Sequence, residues 1–273
     1  MLPRFTGVRY VVPLREGGSL PAVVDTEEDG AFVVKFRGAG QGPKALIAEA
    51  LVACLASVLG LPVPRPALVE LDEGFGRSEP DPEIQDVLRG SVGTNFGLAY
   101  LSGALAFDPA VDGPNVSESL AADIVWFDAY VTNVDRTPRN TNLLIWDSGV
   151  WMIDHGAALY MQHRWAGWEQ KIQSPFPQIS DHVLLGIAGD LAAADQRLRP
   201  RLDDDTIRDV VAAVPDEWLS DEPEFPDLAA QREAYVRYLT ERLNGPRAWL
   251  QTAIAARRNG PAKLSVRQTH RVV

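Results

Sequence analysis

Residues 133–156 read NVDRTPRNTNLLIWDSGVWMIDHG and carry the pattern that decides the fold. Two short apolar segments, LLIW and VWMI, flank the turn sequence DSG, which predicts a β-hairpin. Asp135 and Asn140 lie on the loop that enters the first strand, and Asp154 follows the second. Because the strands of a hairpin run antiparallel, the start of the first lies beside the end of the second, and we expect these three side chains to lie close together.

Asp135, Asn140 and Asp154 have side chains suited to a metal site. Asn and Asp oxygens are hard ligands that suit Mg²⁺, and a further carboxylate can accept a proton or orient a hydroxyl. For Asp135 and Asn140 taken singly, local hydrogen bonds in a turn are the favoured interpretation. Asp154 is harder to explain in this way, because its neighbours are mostly apolar and a buried carboxylate needs a partner or a metal.

The amino-terminal half is predicted to form three antiparallel strands and a helix. Between residues 8 and 37 the β-prone runs VRYVVPL, LPAVV and AFVVKF alternate with turn sequences. Apolar residues then recur at helical spacing from Lys44 to Leu59, and Gly60 supplies a stop signal.

Lys35 and Glu49 are isolated charges among apolar neighbours in this half. If the helix packs on the sheet, the two could pair, which would give a buried ammonium group held by a carboxylate. A solvent-facing strand position for Lys35 and an exposed helix face for Glu49 stay open as alternatives.

The turn REGGS at residues 15–19 is a candidate phosphate-binding segment. Gly17, Gly18 and Ser19 could bring backbone N–H groups close to an anion. A simple hairpin turn explains the same residues, since the turn contains neither GxGxxG nor GxxxxGK[ST].

Taken in order, these features resemble the signature set of protein kinases: a glycine-containing hairpin, a strand lysine, a helix glutamate, an Asp-x-x-x-x-Asn loop and an Asp-x-Gly sequence. The loop NVDRTPRN, with Arg136 directly after Asp135, resembles the atypical branch formed by the HipA-like kinases and the related phosphatidylinositol-type kinases. The resemblance to the HipA-like family runs from about Tyr10 to His182, and VVKFRGAGQGPKALIAE and NVDRTPRNTNLLIW are its most specific parts.

The resemblance implies ATP and Mg²⁺ as cofactors and a role for each candidate residue. The implied catalytic residues are Asp135, which orients the acceptor, and Arg136, which steadies the loop or Asp135. The implied nucleotide contacts are Lys35, its partner Glu49, Gly17, Gly18 and Ser19, and the implied metal ligands are Asn140 and Asp154.

The sequence also departs from the common kinase pattern. His-Arg-Asp is replaced by Asn133, Val134 and Asp135, His155 stands in place of the aromatic residue of Asp-Phe-Gly, and Ala-Pro-Glu is missing. The resemblance therefore implies nothing about control by phosphorylation of an activation loop.

The fold implied is α+β: a two-lobed protein-kinase-like fold with an antiparallel-sheet N-lobe and a mainly helical C-lobe. The predicted N-lobe spans residues 1–104, the C-lobe with the catalytic loop and metal site spans 105–258, and residues 259–273 form a basic tail. Smaller expectations are a strand at 67–71, a polar excursion at 72–89, a helix from Ser117 to about Thr132, and helices between about 180 and 257.

Composition narrows the class of protein. The chain has 273 residues, 46% of them hydrophobic, and a net charge of -11, which argues against binding to nucleic acid or to an anionic membrane. No stretch approaches the roughly 20 apolar residues of a membrane span, no signal peptide is recognised, and the single Cys54 fits a small buried hydrophobe in a reducing compartment. We expect a cytoplasmic protein.

The expected function is ATP- and Mg²⁺-dependent phosphate transfer to an alcohol group, in the manner of a Ser/Thr protein kinase, on an unidentified protein or small molecule. Two alternatives stay open, a small-molecule kinase and a non-catalytic pseudokinase that binds nucleotide and regulates a partner. A divalent-metal hydrolase fits less well, because the sequence lacks the second set of metal ligands that such sites usually have.

Overall fold

A computed structural model of the chain describes residues 2–14, 20–77, 79–220 and 222–260. The strands are β1 (Arg4–Pro13), β2 (Ala22–Thr26), β3 (Ala31–Lys35), β4 (Pro66–Leu71), β5 (Gly93–Ala99), β6 (Leu105–Ala106), β7 (Leu143–Trp146) and β8 (Gly149–Met152). The helices are α1 (Gly42–Leu59), α2 (Pro82–Arg89), α3 (Glu118–Val131), α4 (Trp168–Lys171), α5 (Leu191–Leu198), α6 (Asp204–Ala212), α7 (Leu228–Asn244) and α8 (Ala248–Asn259). The α+β class and the order of a sheet lobe followed by a helical lobe are confirmed.

The N-lobe sheet closes on itself in the order β1-β2-β3-β5-β4. Its strands pair antiparallel, as predicted, except that β1 runs parallel to β4 and so completes a barrel. Irregular pairing along β1 accompanies this closure, and a Cβ at Gly7 would lie 2.6 Å from a methyl carbon of Leu71. A long, bent first strand can therefore serve two neighbours, which alternation in the sequence does not indicate.

Helix α1 packs on the outer face of this barrel. It begins two residues before the predicted start and ends at Gly60, whose φ of 71° and N–H bonds to the carbonyls of Ala56 and Ser57 form a left-handed cap. Its 18 residues have a mean hydropathy of 1.6, so by length and composition it comes closer to a membrane span than the sequence led us to expect, but 67% of it is buried in the protein. Burial within the protein explains its apolar character.

Residues 72–89 are not only the polar excursion that was predicted, because they end in helix α2. The Asp81 side chain accepts a hydrogen bond from the Glu83 N–H, and Pro82 occupies the first turn. Ile84 and Leu88, four residues apart, bury one face of the helix against the barrel interior. Asp81 and Pro82 form a helix start signal in the sequence, but the many polar residues around them favoured the prediction of a loop.

The C-lobe is built around α3, which begins after Ser117 as predicted. Trp126 and Tyr130 of α3 pack against Trp249 of α8, with ring centroids 5.5 and 5.8 Å from that indole. The predicted hairpin is present: β7 pairs antiparallel with β8, and β6 adds a short strand to it. The helix core thus supports a small sheet that faces the N-lobe, and α5 to α8 supply the predicted helical end.

The lobe boundary near residue 104 stays a prediction, although β6, which pairs with the C-lobe hairpin, begins directly after it. Helix α8 extends to Asn259, so the first residue assigned to the tail is helical. Gly260 caps this helix, and residues 261–273 of the predicted basic tail lie outside the described residues, as do Gly17, Gly18 and Ser19.

Candidate active site

Lys35 lies between two carboxylates that come from different lobes. Its Nζ donates to Glu49 Oε1 on α1 and, at 2.6 Å, to Asp154 Oδ1 after β8. The Lys35 side chain is 11% exposed and that of Glu49 is fully buried, whereas that of Asp154 is 42% exposed and borders solvent. The predicted pairing of Lys35 with Glu49 is therefore present, and Asp154 joins it.

The three charges shift one another's titration. Burial lowers the pKa of Lys35, but the Glu49 and Asp154 carboxylates outweigh it and raise that pKa to about 12. Burial raises the pKa of Glu49, and Lys35 offsets this only in part. Burial also acts to raise the pKa of Asp154, but the ammonium group of Lys35 overrides it and lowers that pKa. Lys35 and Asp154 are therefore both charged at neutral pH.

The segment that follows β8 is shaped by close contact with α1. Asp154 has a φ of 54°, in the left-handed region that suits Asp and Asn better than most side chains. A Cβ at Gly156 would lie 3.1 Å from Glu49 Oε1, so any larger residue would require that buried carboxylate to shift by a few tenths of an ångström. The Asp-x-Gly sequence thus has a steric basis in this chain.

Asp135 and Asn140 meet across the loop that precedes β7. Asn140 Nδ2 donates to Asp135 Oδ2 at 2.7 Å, and Thr137 and Asn140 form a short antiparallel bridge that closes the loop. Because a carboxylate only accepts hydrogen bonds, the nitrogen of the amide must face Asp135, which leaves Asn140 Oδ1 as an acceptor. Within the described residues no hydrogen bond to that oxygen is found.

Arg136 is buried in the interior of the protein and does not border solvent. It is 1% exposed, and its guanidinium donates to Asp128 Oδ2, to the carbonyls of Asn142 and Ile153, and to a ring nitrogen of His155. With its donors engaged in the interior, it is placed to steady the loop and not to touch a substrate. A direct catalytic contact from Arg136, one reading of its predicted role, does not fit this position.

An apolar strip that sequence reasoning missed lies beside Lys35. Val33 stands two residues before Lys35 on β3, and the strand register places Val23 and Leu98 opposite it. Residues opposite one another in a sheet share a face, so these three side chains lie on the Lys35 face. A flat apolar ring could rest there, close to the link that follows β5. The alternation within AFVVKF is enough to place Val33 on the Lys35 face. Placing Val23 and Leu98 there requires the register of the strands, which the sequence alone does not give.

The donor set fits a magnesium ion that is shared with phosphate. Among the described residues no group of three or more His, Cys, Asp or Glu side chains could hold a metal unaided. Mg²⁺ is commonly held by one or two carboxylates together with waters and substrate phosphates. The free oxygen of Asn140 and the partly exposed carboxylate of Asp154 match that chemistry.

Comparison with known proteins gives the family and the fold of the chain. A family model described as HipA-like kinase matches residues 9–252, well beyond His182, so the helical end is included as well. In overall structure the chain is similar to the crystal structure of a Helicobacter pylori proinflammatory kinase, CtkA, with a TM-score of 0.58 and 13% identity. That similarity covers 95% of this chain and 99% of the other and concerns the fold. No curated protein matches the chain in sequence.

Proposed function

The chain belongs to the HipA-like kinase family, and from that premise we propose that it transfers phosphate from ATP to an alcohol group in a reaction that depends on Mg²⁺. The observation that carries the proposal is the position of Lys35, which joins Glu49 of one lobe to Asp154 of the other. Burying a lysine with two carboxylates has a large desolvation cost, and apolar residues could stabilise the fold as well. Such a lysine is well placed to bind a phosphate group that lies between the two lobes.

The roles follow from the chemistry of each group. Lys35 would bind a phosphate oxygen while Glu49 keeps it in place, and the strip formed by Val23, Val33 and Leu98 would receive the adenine ring. Asn140 and Asp154 would hold Mg²⁺, which when bound neutralises charge on the phosphates. Asp135 would orient the acceptor hydroxyl and take its proton.

The acceptor is proposed only by class. A serine or threonine hydroxyl of a protein fits a kinase of this kind, and a small-molecule alcohol fits the same chemistry. The net charge of -11 favours neither nucleic acid nor an anionic membrane as a partner, and we propose a cytoplasmic setting.

Transfer can be tested without knowing the natural acceptor. The protein is incubated with isotope-labelled ATP and Mg²⁺, alone and with serine- and threonine-containing peptides or small alcohols, and labelled phosphate is located by mass spectrometry. Asp135→Ala should abolish transfer, because no carboxylate then orients the hydroxyl. Asp209→Ala, which removes an exposed carboxylate from α6, serves as the matched control and should transfer normally.

The outcome separates the enzyme from the pseudokinase. Label that persists unchanged in Asp135→Ala contradicts the assigned mechanism. Binding of Mg²⁺-ATP by the wild type with no transfer to itself or to any acceptor class favours a regulatory nucleotide-binding protein.

A further inference from the structure

Asp128 has no role in the reaction as proposed so far, yet it lies at the centre of a buried hydrogen-bond network. It belongs to α3 and is fully buried. Its Oδ2 accepts from Arg136 Nε at 2.6 Å and from His182 Nε2 at 2.9 Å, and its Oδ1 accepts from Asn133 Nδ2 at 3.1 Å. Both oxygens of a buried carboxylate are thus satisfied by donors, one of them a cation.

The protonation state of His182 follows from its neighbours. Its Nδ1 accepts the backbone N–H of Leu184 at 3.1 Å, so Nδ1 carries no proton and Nε2 must be the donor to Asp128. Burial lowers the pKa of His182, although Asp128 acts in the opposite direction, and the ring is neutral. Among the described residues, Arg136 is therefore the one positive charge that pairs with Asp128.

The network extends from Asp128 to both sides of the candidate metal site. Through Arg136 it holds the carbonyl of Asn142, two residues after Asn140. The same guanidinium holds the Ile153 carbonyl at 3.2 Å, one residue before Asp154, and the His155 ring at 3.2 Å, one residue after it. One side chain therefore fixes the backbone that carries each candidate ligand.

A second branch of the network reaches the candidate base. Asn133, whose amide nitrogen donates to Asp128, accepts the backbone N–H of Asp135 with its oxygen at 3.1 Å. The carbonyl of Asp128 also accepts the N–H of Asn133 at 2.9 Å, so this turn is tied to α3 twice. Asp128 thus reaches Asp135 through one intermediate side chain.

We propose that Asp128 is a positioning residue for phosphate transfer, which sets the spacing between Asp135, Asn140 and Asp154 through Arg136 and Asn133. The inference rests on the proposed function. A residue that served only the stability of the core would have no reason for its two branches to end beside these three residues. Partners that orient metal ligands from behind commonly matter almost as much as the ligands themselves.

The test compares two Asp→Asn substitutions, one at Asp128 of α3 and one at Asp195, which contacts α3. Asp128→Asn removes the charge that holds Arg136. Asp195→Asn is the matched control, because Asp195 also pairs with an arginine, Arg247, and accepts from Trp126 of α3, yet contacts no candidate site residue. For each, we measure the Mg²⁺ concentration that gives half-maximal binding of a non-hydrolysable ATP analogue, and binding of the same analogue in EDTA.

Asp128→Asn should raise the Mg²⁺ requirement by about 10- to 100-fold, as loss of an outer partner of a metal ligand does, while metal-free binding stays within about twofold of the wild type. Asp195→Asn should lower the thermal midpoint and leave the Mg²⁺ requirement unchanged. If Asp128→Asn behaves like the control, the positioning role is overturned and the proposed function stands. If the wild type itself shows no Mg²⁺-dependent binding, it is the proposed function that fails.

Asn133→Ala supplies a milder variant if Asp128→Asn does not fold, because it leaves the Asp128–Arg136 ion pair in place. It frees the Asp135 backbone, so kcat for transfer should fall by about tenfold or more while the KM for ATP stays constant. An unchanged kcat, or a rise in KM alone, would overturn the inference.

Discussion

At the scale of single residues, the members of the Lys35 ion pairs differ in how many partners each has. Lys35 has two carboxylate partners, whereas Lys35 is the only cation that pairs with Glu49 among the described residues. Removing one member of a buried pair leaves the other charge uncompensated, which is the costly event. The cost should therefore depend on which member is removed.

Lys35→Met should lower the free energy of unfolding by about 3–5 kcal/mol, because it strands Glu49 and Asp154 together. Glu49→Gln should cost only about 1 kcal/mol, since Lys35 keeps Asp154 and the amide oxygen can still accept its hydrogen bond. Urea denaturation of both variants measures the difference. Lys35→Met/Glu49→Leu should recover most of the loss, and equal costs for the two single variants would contradict a shared lysine.

His182 makes stability depend on pH. Its pKa is lowered in the folded protein by burial, so between that value and the ordinary value of about 6.5 the unfolded chain binds a proton that the folded protein does not. The free energy of unfolding must then fall as pH drops below about 6.5, by up to about 1.4 kcal/mol per pH unit for each such group. His155 acts in the same direction, because burial lowers its pKa to about 3.

His182→Gln should therefore make this dependence shallower between pH 5 and pH 6.5, with the remaining slope due to His155 and His163, whose pKa values burial also lowers. Glutamine can still donate to Asp128, so the contact with the network is kept. Denaturant unfolding at several pH values gives the slope. His163→Gln is the comparison: partial burial lowers the pKa of His163 as well, but this residue is exposed, so its removal should flatten the slope less than His182→Gln does. A slope in His182→Gln equal to that of the wild type would contradict the prediction.

At the scale of secondary structure elements, a lone charge within an apolar run is the signal that predicted the buried charges of the site. Lys35 and Glu49 stood out as lone charges in apolar runs, and both proved to be buried and paired. Asp128, in the run IVWFDAYV, carries the same signal, although only Asp135 and the neighbouring loop were predicted to belong to the site. A lone acid on an apolar helix, several residues before a polar loop, could therefore have indicated the anchor of that loop.

The contacts between lobes could not be predicted in the same way. The residues of the short 3-10 helix Asp216–Trp218 reach back to the N-lobe: Glu217 pairs with Arg37, and the Trp218 indole donates to the Thr94 carbonyl at 2.9 Å. Nearby, Glu222 pairs with Lys44 of α1 at 2.5 Å. These partners lie more than a hundred residues apart in the chain, and no local periodicity relates them.

Trp218→Phe tests whether this contact holds the N-lobe in its binding position. The phenyl ring keeps most of the apolar packing but cannot donate to Thr94, so we expect ATP affinity to fall several-fold. Trp249→Phe is the control, because its indole also donates to a buried carbonyl, that of Arg242, but within the C-lobe. Each loss should lower stability by about 1–3 kcal/mol through the unpaired carbonyl, and calorimetry should show weaker ATP binding only in Trp218→Phe. Equal affinities in the two variants would contradict the prediction.

At the scale of the whole molecule, α1 is held by both lobes at once. It packs on the outer face of the barrel, and its Glu49 contacts Lys35 of β3. The buried Gln162 of the C-lobe donates to the Lys44 carbonyl at 2.9 Å. The Tyr235 hydroxyl in turn donates to Gln162 at 2.9 Å, which ties that contact to α7. The Lys35–Glu49 pair is therefore supported by contacts along the chain from β3 to α7.

A ligand that bridges Lys35 of the N-lobe and Asp154 of the C-lobe should stabilise the whole protein. At about 100 times its dissociation constant, such a ligand adds about 2.7 kcal/mol, which for a chain of this size raises the thermal midpoint by about 5 °C or more. We expect this rise with ATP and Mg²⁺ and a smaller one with ATP and EDTA. Thermal unfolding across a range of Mg²⁺ concentrations measures it, and a flat response would count heavily against a kinase.

Asp154→Asn should remove the difference between Mg²⁺ and EDTA while the protein stays folded. Asparagine tolerates the left-handed backbone at this position, where φ is 54°, so the change acts on the charge and not on the turn. Asp147→Asn is the matched control, since Asp147 at the exposed tip of the hairpin has a φ of 47° and lies at the far end from the site. If Asp154→Asn kept the full Mg²⁺-dependent rise, the metal would have to be held elsewhere, and the coupling of the two lobes through Asp154 would be wrong.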